Sequence, residues 1–307
     1  MEKFNKYYKN RQVLVTGGAG FIGSQITQQL VDAGAQVTIL DNFSSGTVAN
    51  LDQMIHHIKV IAGDITDPKA CEYAARGKSH IFHLAAAISV VESQQNPDKY
   101  QKINVEGTKN ILTAAVNARA QRLVFSSSAA VYGNQEEVCS EQLILAPNSP
   151  YAETKIAGEN LCTFFKEKYG LESVILRYFN VHGPKQRSDG GYAAVIPTFI
   201  QKLQQNLPLT IFGNGQQTRD FISVEEIAEA NLIAACIKKI PDPIINVASG
   251  QSKSILELIE ELTKKLGCPK PLIEFLPERP GDILHSKANC GRYFTLKKEF
   301  ENLYVAS

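Results

Sequence analysis

Tyr151 and Lys155 stand four residues apart in the stretch SPYAETK. On a helix that spacing puts both side chains on one face, one turn apart. Ser149 suits the position just before a helix, and Pro150 suits its first turn. Such a pair can do acid–base chemistry. A free phenol has a pKa of about 10, and a cation within a few Å lowers an acid by roughly 1–3 units. A phenolate poised nearer neutrality can take a proton from a hydroxyl. The bland alternative is a buried aromatic beside a solvated lysine.

A second set of residues suits a dinucleotide. VLVTGGAGFIGS carries G-x-G-x-x-G at Gly18, Gly20 and Gly23, and G-x-x-G-x-x-G at Gly17, Gly20 and Gly23. Glycines let the backbone turn tightly and approach a pyrophosphate at a helix N-terminus. Asp41 follows about 20 residues on, where an acid accepts the adenosine ribose hydroxyls. Its charge would repel a 2′-phosphate, which favours NAD over NADP. Asp64 in GDIT could reach an adenine, or could belong to a plain strand-end turn. The small residues of HLAAAISV could let a cofactor lie against the backbone, or could serve close helix–sheet packing.

The elements that must position these groups follow from pattern. Strands are expected at 12–17, 35–41, 58–64, 80–86, 122–128 and 173–180, and helices at 23–34, 100–118 and 150–169. That alternation predicts a Rossmann-type doubly wound parallel sheet in an α/β fold. After Asn180 the chain is loop-rich, with helices expected at 223–239 and 254–267 and a late strand at 244–249. The expected division is 1–180, with about 243–249, for a dinucleotide domain. A smaller discontinuous C-terminal domain takes 181–242 and 250–307.

Composition narrows the classes. The 307 residues carry a formal net charge of +1, so no bulk field points to nucleic acid or anionic membrane. No apolar run reaches the 18 residues of a membrane span, and the polar start MEKFNKYYKNRQ lacks a signal-peptide core. The six cysteines are scattered without C-x-x-C, and the six histidines lack metal spacing. A cytoplasmic protein with reduced thiols and no metal is expected.

Taken together, TGGAGFIG, DNFSSG, GDI, HLAA, NVEGT, SSSAAVYG, YAETK, RYFNVHGP, GNGQQTRDF and ERPGD resemble the extended short-chain dehydrogenase/reductases, and within them the nucleotide-sugar 4-epimerases. The resemblance runs from residue 13 to about 288. It implies NAD on the first domain and a UDP-sugar gripped by the second. It makes Tyr151 the catalytic base, Lys155 its partner and Ser128 the residue that bonds the reacting hydroxyl. It assigns cofactor contacts to Gly17, Gly20, Phe21, Ile22, Gly23, Asp41, Asn42, Asp64, Ile65, Leu84, Ala85, Ala86, Asn104, Tyr151, Lys155 and Tyr178. It assigns substrate contacts to Ser89, Ser128, Asn180, Val195, Arg219, Arg279, Asp282 and Ser286, with Pro197 beside Val195 under the uracil. Arginine suits a diphosphate because its guanidinium binds bidentately. Each arginine could equally be a surface ion pair.

The implied reaction is an internal redox cycle. The C4 hydroxyl is deprotonated, hydride leaves C4, the 4-keto sugar turns over, and hydride returns on the other face. Ser286 lies seven positions after Arg279, where relatives with a tyrosine exclude an N-acetyl group at C2. A serine there implies UDP-N-acetylglucosamine and its galacto epimer as substrates, alongside the plain hexoses. Ser89-Val90 agrees with that preference.

Three other readings stand beside it. A 4,6-dehydratase carries an acidic pair where this chain has Ala129-Ala130. Decarboxylases and uronate 4-epimerases usually carry threonine at the place of Asn180. A non-catalytic NAD sensor would not need Ser128, Tyr151 and Lys155 together. The resemblance also implies a homodimer in which helices at 100–117 and 150–169 form a four-helix bundle. The ending GRYFTLKKEFENLYVAS departs from the family's usual L-G-[YF]-x-P tail, which bears on stability more than on chemistry.

Overall fold

The computed structural model describes residues 2–135, 137–186, 195–278 and 286–304. The first half runs α1 (Glu2–Tyr8), β1 (Gln12–Thr16), α2 (Phe21–Asp32), β2 (Gln36–Asp41), β3 (Ile58–Ala62), α3 (Pro68–Ala75), β4 (His80–His83), α4 (Val90–Gln95), α5 (Pro97–Tyr100), α6 (Gly107–Asn117), β5 (Arg122–Ser128), α7 (Pro150–Tyr169) and β6 (Ser173–Tyr178). The second half runs β7 (Asn180–His182), α8 (Val195–Gln204), β8 (Leu209–Phe212), β9 (Thr218–Ser223), α9 (Val224–Cys236), β10 (Ile244–Val247), β11 (Ser252–Ser254), α10 (Ile255–Leu266), β12 (Ile273–Leu276) and α11 (Gly291–Tyr304).

Seven strands form one sheet in the order β3-β2-β1-β4-β5-β6-β10. Every pairing in it is parallel. The expected doubly wound α/β fold is the one observed. Strand alternation explains the two cores. Val13 and Val15 of β1 face one apolar cluster, whereas Leu14 faces the other. The order reverses between β1 and β4, which opens a crevice at the carboxyl ends of the strands.

Local chemistry sets the element ends. Ser149 caps α7 by accepting from the backbone N–H of Ala152 at 3.2 Å, Pro150 follows it, and Gly170 closes the helix at φ +71°. The expected helix at 100–118 is in fact α5, a π-helical turn over Gln101–Glu106, and α6. The strand expected at 173–180 splits after Tyr178, and Asn180 starts β7 in a different sheet.

The remaining elements differ from the pattern more. β7, β9 and β11 form a three-stranded sheet, and β8 with β12 a two-stranded one. The α8 and α10 helices pack on these through Ile196, Phe199, Leu209, Ile211, Leu258 and Ile259. The division drawn from sequence gave α9 and the C-terminal segment to the second domain. Both α9 and α11 lie instead in the apolar cluster of the large sheet, through Ile227, Ile233, Tyr293 and Phe300. Phe300 stacks on Phe4 of α1 at 4.7 Å. The reason is that α9 is apolar nearly all round, so it must be covered on more than one side.

Among the described residues, no helix is long and apolar enough to cross a membrane. Among the same residues, no cluster of three His, Cys, Asp or Glu side chains could hold a metal ion.

Candidate active site

The carboxyl ends of β1 to β6 bring most of the expected residues to one crevice. Gly17 leaves β1 at φ +69°, and a Cβ there would stand 2.8 Å from the Ala85 nitrogen. A Cβ on Gly23 would stand 2.0 Å from the Gly17 carbonyl oxygen. Only glycine lets the loop pack this way, which leaves the first N–H groups of α2 facing the crevice. Phe21 and Ile22 lie half-buried in that first turn of α2.

Asp41 is buried at the end of β2. Its carboxylate accepts from the backbone N–H of Ala19 at 2.9 Å and of Phe43 at 2.8 Å. It therefore pins the glycine loop from below. Asn42 donates to Asp64 at 2.7 Å, and the N–H of Thr66 donates to Asp64 at 2.8 Å. Burial raises the Asp64 carboxyl, but these bonds outweigh it and leave it below its ordinary value. Ile65 follows Asp64. Its side chain goes into the core, and its carbonyl accepts from Asn110 at 3.0 Å.

The segment after β4 is held by residues that the sequence pattern does not single out. Thr16 accepts from the N–H groups of Leu84 and Ala85, both at 3.2 Å. Its hydroxyl also meets His83 Nδ1 at 2.7 Å, and His83 Nε2 meets Thr108 at 3.0 Å. Thr108 donates to the Asn104 carbonyl at 2.5 Å, so its oxygen is left to accept from Nε2–H. That fixes a neutral imidazole. Burial first, then the Lys155 charge, pull His83 down to about 3. Asn104 accepts from the Ala87 N–H at 2.8 Å and donates to the Ala87 carbonyl at 2.9 Å and to Thr154 at 3.0 Å. Both ends of its amide are thus spent on tying the Ala86–Ala87 backbone to α7.

Ser128 ends β5 directly opposite Tyr178 of β6. Its oxygen accepts from the Ala130 N–H at 3.2 Å, so its own proton remains available to donate. Lys155 is buried and donates to the Ser126 carbonyl at 2.8 Å. Its nitrogen sits 5.8 Å from the Tyr151 ring centre and 5.4 Å from that of Phe125. Burial pulls the ammonium down to about 8, opposed by the Glu159 carboxylate. Tyr178 spends its hydroxyl inside the fold, on Ser126 at 3.0 Å and Asn231 at 2.9 Å, and burial pushes it up to about 12.

Of the residues expected on the substrate side, Asn180, Arg219 and Ser286 gather around β7, β9 and β11. Asn180 donates to the Asp220 carbonyl at 3.0 Å. Arg219 donates to the Thr218 carbonyl at 2.9 Å and is half-buried. Ser286 is buried, and its N–H donates to the same Thr218 carbonyl at 3.1 Å. Ser89 caps α4 by accepting from Glu92 N–H at 3.1 Å, and Val195 with Pro197 opens α8. Arg279 and Asp282 lie outside the described residues. Asp220, not foreseen from sequence, organises this side. It is fully buried and accepts from Ser249 N–H at 2.8 Å, Ser249 hydroxyl at 2.7 Å and Gly250 N–H at 3.0 Å.

Known proteins share this arrangement. The sequence profile of the NAD dependent epimerase/dehydratase family matches residues 13–248. The UDP-N-acetylglucosamine 4-epimerase of Methanobrevibacter ruminantium M1, solved with UDP-N-acetylmuramic acid, superposes with a TM-score of 0.89 at 40% identity, over 94% of this chain and 92% of that one. The UDP-glucose 4-epimerase of Thermus thermophilus, solved with NAD, gives 0.84 at 33% identity, over 92% of each chain. The UDP-N-acetyl-alpha-D-glucosaminuronate decarboxylase of Bacillus cytotoxicus is 34% identical over 91% of this chain and 92% of its own length. The glycine loop without room for a Cβ and the buried Asp41 beneath it fit the NAD that the family's description and the Thermus structure carry. The chain belongs to the NAD-dependent epimerase/dehydratase family, and NAD is its cofactor.

Proposed function

We propose that the chain is a UDP-sugar 4-epimerase that interconverts UDP-N-acetylglucosamine and UDP-N-acetylgalactosamine, and the plain hexose pair as well. The observation that carries this is the environment of Ser128. Its oxygen accepts from the Ala130 N–H and keeps a proton to donate, Lys155 is anchored two residues earlier on the Ser126 carbonyl, and Ala129-Ala130 follow with no acid to expel water. NAD, held by the Gly17–Gly23 loop and Asp41, supplies the hydride acceptor and donor at C4. Tyr151, as phenolate, takes the proton of the C4 hydroxyl. Ser128 donates a hydrogen bond to the same oxygen and steadies it as its charge changes. Lys155 spends one proton on Ser126 and has two left, which suit the nicotinamide ribose hydroxyls and the phenolate. Arg219 and Arg279 take the diphosphate, Asn180 and Asp282 contact the nucleotide sugar, and Val195 and Pro197 lie under the uracil. Ser286 leaves room for the acetamido group.

The similarity to the uronate decarboxylase favours a second reading, loss of CO2 from a UDP-uronate. Asn180, where decarboxylating relatives usually carry threonine, argues for epimerisation. The experiment is a panel of UDP-hexoses, UDP-N-acetylhexosamines and UDP-uronates, each incubated with the protein and followed by proton NMR. A 4-epimer of the acetylated sugar is expected. A pentose product, or uronate turnover alone, would overturn the assignment.

The same reading includes a homodimer built on α7 and the stretch of 100–117. Phe164 and Tyr169 of α7 are 46% and 49% exposed, large apolar area for a surface helix. Light scattering should give twice the chain mass, and a monomer would refute it.

A further inference from the structure

Behind the candidate catalytic residues lies a buried ion pair with no part in the reaction as derived. Arg177 of β6 donates to both oxygens of Glu159, from Nε at 2.9 Å and from Nη2 at 2.6 Å. Their side chains are 3% and 5% exposed. Such a pair is a poor source of stability, since desolvation offsets most of its Coulomb gain. Its placement is what stands out. Glu159 is one turn beyond Lys155 on α7, so the two share a face. Its Oε1 accepts from Ser127 at 2.5 Å. Ser127 sits between Ser126, whose carbonyl holds Lys155, and Ser128. Arg177 also donates to Tyr132 at 2.9 Å, in the turn that Ser128 caps. Tyr132 donates in turn to Asn246 of β10 at 2.6 Å.

We propose that Glu159 and Arg177 are the positioning pair of this site: they lock β5 to α7 through Ser127, and Glu159 sets a carboxylate one helical turn from Lys155. The groups facing Lys155 are few. From α7 come Tyr151 and Glu159, from β5 the Ser126 carbonyl and the Phe125 ring, and from β4 the neutral His83. Those facing Glu159 are Arg177, Ser127 and the Cys162 thiol, which burial keeps protonated. Burial drives the Lys155 ammonium down, and Glu159 is the charge that opposes it. A neutral Lys155 would leave the Tyr151 phenolate without its counter-charge. The inference rests on the proposed function for that last step only.

The test is direct titration of Lys155. Protein labelled with 13Cε-lysine is followed by NMR, and Lys155→Arg identifies the resonance. Glu159→Gln removes the charge but leaves Arg177 buried and unmatched, so the neutral Glu159→Gln/Arg177→Gln double variant is measured beside it. In Glu159→Gln the Lys155 midpoint is expected to move to lower pH by about one unit, the size of an opposite charge at close range, and in the double variant, which also loses the positive Arg177, by less. Glu159→Asp, which keeps the charge, should restore most of it. The ascending limb of kcat/KM should follow the midpoint downward, and kcat should fall about tenfold, because more of the pair then exists as neutral lysine and neutral tyrosine. A Lys155 midpoint unmoved in folded Glu159→Gln would overturn the proposal. A moved midpoint that the rate profile ignores would instead count against Tyr151 and Lys155 as the base pair.

Discussion

The cofactor side and the sugar side of the crevice are anchored in different ways. On the cofactor side the key groups hang from strand ends of the seven-stranded sheet or are tied to them. Asp41 and Asp64 bind backbone within two residues of themselves as well as more distant partners, and Lys155 binds the strand next to its own helix. On the sugar side the anchors are long-range. Asp220 of β9 reaches Ser249 and Gly250, and Ser286 returns to Thr218. A parallel sheet supplies rigid strand ends one after another along the chain, so a site built there uses short loops. A site between small sheets needs a buried hub instead, and Asp220 is that hub.

The largest effect belongs to the chemistry itself. Tyr151→Phe removes one hydroxyl and leaves both sides of the crevice intact. Turnover should fall by about 10²–10⁴, the usual worth of a positioned acid–base group. NAD and UDP binding, measured by calorimetry, should stay. A variant that turns over normally would move the base elsewhere.

Next come two variants that break one side each. Gly23→Ala forces a methyl toward the Gly17 carbonyl oxygen, 2.0 Å from the ideal Cβ position, and backbone has to shift. Overpacking of this kind costs about 1–3 kcal/mol. NAD affinity should drop at least about tenfold while UDP binding persists. Asp220→Ala strips the half-buried N–H groups of Ser249 and Gly250 of their acceptor, at about 1 kcal/mol or more. It should lower Tm and weaken UDP-sugar binding while NAD still binds. If both variants lose both ligands alike, the two sides are one cooperative unit and the comparison fails.

The same contrast explains what could be read from the sequence. Gly17, Gly23, Asp41, Tyr151 and Lys155 were legible because glycine loops, strand ends and helix spacing are local patterns. The α7 boundaries followed from Ser149, Pro150 and Gly170 for the same reason. Asp220, His83 and Glu159 were not legible, since each acts through partners on other elements, as with Asp220 and Ser249, 29 residues apart. Asn104 and Tyr178 were expected beside the cofactor, and their side chains bind protein, at Ala87 and Asn231. The packing of α9 and α11 on the large sheet is likewise a tertiary fact, invisible in composition. The short strands β8, β9, β11 and β12 went unseen because runs of three to six residues carry too little period.

A pH experiment sharpens the account of the cofactor side. His83 is neutral in the fold, with its pKa pulled to about 3 by burial and by Lys155. The unfolded chain takes up a proton below about pH 6.5, which the folded chain resists. Stability from this group is therefore present above about 6.5 and declines by about 1.4 kcal/mol per pH unit from there toward 3. Going from 6.5 to 5 should cost about 2 kcal/mol, read as a drop in the urea midpoint. His83→Gln can keep both hydrogen bonds, to Thr16 and Thr108, without titrating. Its stability should fall less steeply over that range. Equal slopes for the two proteins would mean that His83 is protonated in the fold.

The smallest effect tests the sugar side where it meets specificity. Ser286 is 9% exposed, its N–H is held by Thr218, and its carbonyl accepts from Ser252 at 2.9 Å. Its backbone is thus held on both sides, so a larger side chain cannot easily relieve crowding by shifting the main chain. In Ser286→Tyr the ring must enter whatever space the small side chain leaves. If that space receives the C2 substituent, ring and acetamido group compete for one volume. Overpacking costs about 1–3 kcal/mol, and near its lower half that is about tenfold in kcat/KM. UDP-N-acetylglucosamine should lose that factor, and UDP-glucose, which lacks the acetamido group, should lose less. The ratio of the two kcat/KM values is the measurement, because it cancels any general loss from the substitution. An unchanged ratio would place the acetamido pocket away from Ser286 and would leave the choice of sugar to residues on another loop.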